Sequence, residues 1–180
     1  MTDTPVSTEH RSSILERSDD PIPDGEPPQM LCYVQLPLNW QQALIDDIAA
    51  AHHSIKLCAM SMLPPRQSQH GPWTDAFAAL ASQASNGVDV HLTLPAPHRA
   101  HGATSRNAHA ATAAHAAGWR VTLLPGPRLL HAKLIIIDEG ISWIGSANLT
   151  TAAWSHNHER YVRVRSAIYA ARLALGIPTP

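Results

Sequence analysis

The chain has 180 residues, 44% of them hydrophobic and 5% aromatic, with 13 lysines and arginines against 14 aspartates and glutamates. That length suits one domain with a tail, and a formal net charge of −1 points by itself to no polyanionic partner. No apolar run approaches the about 18–20 residues of a membrane span, and two cysteines, Cys32 and Cys58, make neither a disulfide framework nor a zinc pattern. Both cysteines lie in apolar stretches that read as strands. Buried thiols are expected, although neighbouring strands could bring the two together. The N-terminus lacks a basic start followed by an apolar core, so no secretory signal is expected and the location is read as cytoplasmic.

Residues 1–30 carry seven carboxylates against two arginines, a net −5, with Pro21, Pro23, Pro27 and Pro28 close together. This composition predicts a flexible acidic tail. The remaining residues carry +4, and residues 91–180 alone carry +6. The second half is therefore basic, which suits an anionic substrate, and the tail is placed to shield it.

The tail ends near Leu31, and a first strand is expected over residues 31–36, stopped by Pro37. Asn39 is a candidate N-cap for a helix from Trp40 to about His52. A second strand is expected over 54–62, a Pro- and Gly-containing loop over 63–71, and a helix over 73–85 that stops at Asn86-Gly87. A third strand, 88–94, leads into a basic loop bearing His98, Arg99, His101 and Arg106. Open α/β sheets bind ligands at such strand ends, so Arg99 and Arg106 are candidate substrate-binding residues. An alanine-rich helix over 107–117 and a fourth strand over 119–124 follow. After the Pro125-Gly126-Pro127 turn comes Arg128, a further candidate for holding substrate.

The segment HAKLIIIDEGISWIGSANLTTAAWSHNHE, residues 131–159, concentrates the chemistry. His131 and Lys133 are two apart, so on a strand both side chains leave one face. Leu134 to Ile137 form an apolar run that suits a strand buried on both sides. Asp138 ends the run before a Glu139-Gly140 turn signal, and a short strand over 141–144 enters Gly145-Ser146-Ala147-Asn148. Glu159 follows a polar loop over 155–158, a strand is expected to 165, and a closing helix over 167–175. An imidazole can attack phosphorus or protonate a leaving oxygen. A lysine with serine and asparagine donors can hold the non-bridging oxygens, and a carboxylate can fix an imidazole's tautomer. Asp138 lies at odd spacing from His131, which turns it to the other face and gives it a supporting role. Glu159 is the better candidate to orient an imidazole. Trp154 fits core packing, or a substrate contact by stacking on a base or touching a lipid chain. The twelve histidines lack the compact spacing of a metal site, so no metal or other cofactor is expected.

His131-x-Lys133-x4-Asp138, then Gly145-Ser146-x-Asn148 and Glu159, resembles the signature of the phospholipase D superfamily. The order of strands and helices extends that resemblance over roughly residues 31–175. It implies an α/β fold with a mixed, mostly parallel sheet flanked by helices on both faces, a phospholipase D-like half-domain. The domain then covers residues 31–176, between the tail at 1–30 and a short tail at 177–180. The resemblance further implies a metal-independent phosphodiesterase with catalytic residues His131, Lys133, Asp138, Ser146, Asn148 and Glu159. In that family two His-Lys motifs meet at one site, one histidine forming a phosphohistidine and the other protonating the leaving group. The motif occurs once here, as in small single-motif bacterial endonucleases of the family. The implied protein is a homodimer through the catalytic face, acting on nucleic acid. A lipid phosphodiesterase or phosphatidyl transferase is a rival reading, as is a non-catalytic nucleic-acid-binding protein on the same fold. The sequence offers no amphipathic interfacial helix for the first rival, and retains both His131 and Lys133 against the second.

Overall fold

The computed structural model describes residues 33–98, 102–126 and 128–177. The acidic tail, Cys32, Arg99, His101 and the last three residues lie outside the described residues.

Strand β1 (Tyr33–Gln35) precedes helix α1 (Trp40–Ala49), which Asn39 caps by accepting from the Gln42 backbone N–H. Strand β2 (Ser54–Cys58), helix α2 (Pro72–Ser85), strand β3 (Asp89–Pro95), helix α3 (Asn107–Ala116) and strand β4 (Arg120–Leu124) follow. Then come β5 (Leu134–Ile137), β6 (Ile141–Gly145), the short α4 (Thr151–Ser155), β7 (Tyr161–Arg165) and α5 (Ala167–Leu175). Gln83 of α2 donates to the Ile48 and Ala49 carbonyls, so the end of α1 is satisfied by its neighbouring helix.

One sheet holds all seven strands in the order β1-β7-β6-β5-β2-β3-β4. The expectation of a mixed sheet covered on both faces holds, but its bias is the reverse of the one expected. Only β2–β3 and β3–β4 pair in parallel, while the other four pairings are antiparallel. The reason is connection length. Helices α2 and α3 carry the chain back over the sheet, as a parallel pair requires. Between β5 and β6 there is only a tight turn with Asp138 and Glu139 at φ 49° and 54°. The Gly140 N–H donates to the Ile137 carbonyl, which closes the turn, and the three residues 138–140 join Ile137 to its cross-strand partner Ile141.

Alternation along β5 feeds two cores. Ile135 and Ile137 join Trp40, Leu44, Leu80 and Trp143 on the face covered by α1 and α2. Leu134 and Ile136 join Cys58 and Ala170 beneath α5. The Arg163 guanidinium and the Asp47 carboxylate form a two-pronged ion pair inside the larger core's edge, and Trp143 Nε1 donates to the same carboxylate at 2.8 Å.

Candidate active site

Two strand registers place the chemistry. Leu134 lies opposite Ile144, and the Gly145 N–H donates to the Lys133 carbonyl at 3.0 Å. Gly145 lies opposite Tyr161, and the Ser146 N–H donates to the Arg160 carbonyl at 3.2 Å. The segments 131–133, 145–148 and 159–161 therefore meet at one end of the sheet. Leu149 also bridges to Met62, so the loop after β2 borders the same end.

His131 and Lys133 lie in the segment just before β5 rather than on the strand itself. The Lys133 ammonium is 3.2 Å from Nδ1 of His131, 3.3 Å from Nε2, and donates to the His131 carbonyl at 2.7 Å. His131 is exposed, whereas Lys133 is only 7% exposed. Burial pulls the Lys133 ammonium below its ordinary pKa, against the opposing influence of Glu159 and Cys58. Among the described residues no carboxylate lies within ion-pair distance of Lys133. A buried cation without a carboxylate partner favours an incoming anion.

Gly145 is required by close approach. A Cβ there would collide with the Arg160 carbonyl oxygen and come within 2.6 Å of two Tyr161 ring atoms. The residue after it, Ser146, is exposed; its hydroxyl donates to Glu159 Oε2 and accepts from the Arg160 N–H at 3.3 Å. The other Glu159 oxygen accepts from the Asn157 side-chain amide at 3.2 Å. Glu159 thus engages Ser146 and Asn157, and makes no hydrogen bond to the imidazole of its own chain. The Asn148 Oδ1 is buried without a hydrogen-bond partner among the described residues, an acceptor left open at this end of the sheet.

Asp138 is placed differently. It sits at the opposite end of β5, roughly 20 Å of extended chain from His131. Its carboxylate accepts backbone N–H bonds from His52, His53 and Ser54 at 2.8, 2.8 and 2.9 Å. Its side chain holds the α1–β2 connection to the β5–β6 hairpin and does not meet the imidazole.

Trp154 requires a correction as a substrate contact. It is 1% exposed, with ring centroids 4.9 Å from Trp40 and 5.4 Å from Trp73. An indole enclosed by two others has no face left for a base. Arg106 and Arg128 are exposed, and Arg99 lies outside the described residues. The polar loop expected at 155–158 is preceded by α4, which the sequence reading missed. Thr150 caps it, accepting from the Ala153 N–H at 3.2 Å, and five residues are too few to show a helical period. Asn157 was also missed; its signal was its position two residues before Glu159.

The family model described as "Cardiolipin synthase, PLD-like domain" matches residues 44–174. The chain belongs to the phospholipase D superfamily. Among curated relatives, cardiolipin synthase A of Pseudomonas fluorescens (strain SBW25) is 40% identical over 86 residues, which cover 46% of this chain. They cover 17% of that relative, so the chain spans about a sixth of its length. Among solved structures, the phospholipase D family member Nuc from Salmonella typhimurium superposes with a TM-score of 0.64 at 23% identity, covering 81% of this chain and 91% of Nuc. NucT from Helicobacter pylori gives 0.60 at 20% identity, covering 82% of this chain and 93% of NucT. At these identities the structural likeness establishes the phospholipase D fold. No helix among the described residues is long and apolar enough to cross a membrane.

Proposed function

We propose that this phospholipase D superfamily member is a metal-independent phosphodiesterase that acts on nucleic acid as a homodimer. The observation that carries the reading is the Lys133 ammonium held against the His131 imidazole at a site bordered by Ser146, Asn148 and Glu159. In the proposed first step, a His131 ring nitrogen attacks phosphorus. The P–O bond to the leaving oxygen breaks, and that oxygen takes a proton from His131 of the partner subunit. In the second step, water attacks the phosphohistidine while His131 of the partner subunit removes its proton, and the P–N bond breaks. Lys133 and the Ser146 and Asn148 side chains hold the non-bridging oxygens as charge develops.

One chain supplies one imidazole of the motif, which cannot attack and protonate in the same step. A second copy related by a two-fold axis beside His131 would complete the set. The exposed His131 suits such an arrangement, and so does a Glu159 that leaves its own imidazole unbound. Nucleic acid is favoured by the +6 charge of residues 91–180, where exposed Arg106, Arg128 and Arg160 can meet a phosphate backbone. The 40% identity to cardiolipin synthase A supports a second reading, a lipid phosphodiester as substrate. DNA, RNA and anionic phospholipid vesicles, each incubated with the native protein and with His131→Ala, separate the readings. Nucleic-acid cleavage lost in the variant is expected. Turnover of lipid alone would replace the substrate class, and no His131-dependent cleavage of any diester would overturn the reading.

A further inference from the structure

Strands β2 and β3 run in parallel as far as the pair Cys58 and Thr93, and the last bond between them runs from the Ala59 N–H to the Thr93 carbonyl at 3.3 Å. The next bond of that ladder would join the Ser61 N–H to the Pro95 carbonyl. Instead, the Pro95 carbonyl accepts from the Asn107 side-chain amide at 2.9 Å. The same amide donates to the Met60 carbonyl at 3.0 Å, and its oxygen accepts from the Met62 N–H at 3.4 Å. Asn107 is fully buried in the first turn of α3, whose Ala110 and Ala114 are packed in the core. Its side chain fills the fork where β2 and β3 part, and it bonds Met60 and Met62 as a parallel neighbouring strand would.

The opposite edge of the same segment is bonded to Leu149. The Leu149 N–H donates to the Ser61 carbonyl at 3.2 Å, and the Leu63 N–H donates to the Leu149 carbonyl at 2.9 Å. Residues 60–63 are thus held from both sides by alternate peptide groups. Leu149 is buried and directly follows Asn148, whose carbonyl accepts from the Thr150 N–H at 2.9 Å. A primary amide suits the fork because two N–H donors meet two carbonyls while one oxygen meets an N–H. Aspartate would set an oxygen against both carbonyls, and alanine would leave them buried without a donor.

We propose that Asn107 is a positioning residue for the active site: it turns the segment after β2 onto Leu149 and so fixes Asn148 beside it. Its value to turnover rests on the function proposed above, but the brace itself does not.

Amide hydrogen exchange, followed by NMR, tests the brace. In Asn107→Ala the Leu63 and Leu149 N–H groups should exchange about tenfold faster relative to those of β5. Asn107→Asp, which keeps the acceptor and loses both donors, should move that ratio the same way. Gln83→Ala also removes a buried amide that donates to two backbone carbonyls, but at the end of α1, and should leave the ratio native. The native protein gives a reading that needs no variant. Both Asn107 side-chain amide protons should exchange about a hundredfold more slowly than those of exposed Asn86. Fast exchange of those protons, or an unchanged ratio in the Asn107 variants, would overturn the inference.

Turnover of an aryl phosphodiester reads the positioning. Asn107→Ala should lower kcat by about tenfold with a smaller change in KM, because Asn148 acts as charge develops. Gln83→Ala should keep native kcat at a temperature where both variants are folded. Native kcat in an Asn107→Ala protein with a loosened bridge would also overturn the inference. Native protein inactive on every diester, beside a bridge that loosens as expected, would sink the proposed function and leave the brace standing.

Discussion

The Lys133 ammonium lies 3.2 Å from Nδ1 of His131, and both residues reach this contact from the segment that leads into a fully buried strand. The strand sets the backbone position of the pair, and among the described residues no carboxylate contacts the cation, which leaves it for an anionic ligand. His131→Ala and Lys133→Ala should each lower phosphodiester turnover by roughly a thousandfold or more, since each removes a group used in bond making. Circular dichroism and thermal unfolding should show both variants folded. A folded His131→Ala protein with native turnover would defeat the mechanism.

The need for two imidazoles predicts how mixtures behave. Native protein and His131→Ala should exchange subunits into heterodimers with a single imidazole of the motif. Activity should then fall roughly as the square of the native fraction under complete random exchange. Mass spectrometry of differently tagged subunits verifies exchange, and light scattering gives the state of the active species. A linear decline with verified exchange, or full activity in a monomer, would show that one chain suffices.

Asp138 should govern stability in acid. Burial opposes its charge, but N–H donation from Ser54, His52 and His53 outweighs that and holds its carboxyl below the ordinary value. A carboxylate depressed in the folded state contributes stability above the unfolded value, about pH 3.9, and loses it as pH falls through the folded value. Asp138→Asn should lower unfolding free energy at neutral pH by about 1–2 kcal/mol and flatten its dependence below about pH 4. Urea unfolding at several pH values measures both. An acid limb as steep as that of native protein would remove Asp138 from this role.

Gly145→Ala should destabilise the chain by about 1–3 kcal/mol, because the new methyl group meets the Arg160 carbonyl and the Tyr161 ring. Gly87, at φ 90° with open space around its Cβ position, should respond to alanine through backbone strain alone. Chemical denaturation of the two variants compares a steric cost with a conformational one. Only Gly145→Ala should also displace Ser146 and reduce turnover.

Turnover should survive excess EDTA. Nucleophile, acid and charge clamp are all side chains in the proposed reaction, and no group of three metal-ligating side chains is present among the described residues. Activity abolished by EDTA and restored by magnesium would call for different chemistry.

The motif was legible because its residues fall within about 30 positions and its strands are short, so local order in sequence remains local order in space. The α/β class and most elements were legible for a related reason: helical and strand periods repeat within single segments. The parallel or antiparallel sense of the sheet was not, since it depends on which strands pair after the chain has crossed over the sheet. Trp154 illustrates the limit at one residue. A tryptophan beside polar residues reads equally as a platform for a base or as core, and only Trp40, 114 residues earlier, and Trp73 decide it by enclosing the indole. Asp138 shows the same limit for a carboxylate. Its spacing from His131 said that it faces elsewhere, but the three backbone N–H groups it receives come from residues 52–54, brought to it by the pairing of β2 with β5. By itself the sequence determined the chemical inventory and the periodicity of the strands and helices that carry it. Tertiary structure decided which partner each polar group meets, because a hydrogen bond depends on distance in space and a sequence records only distance along the chain.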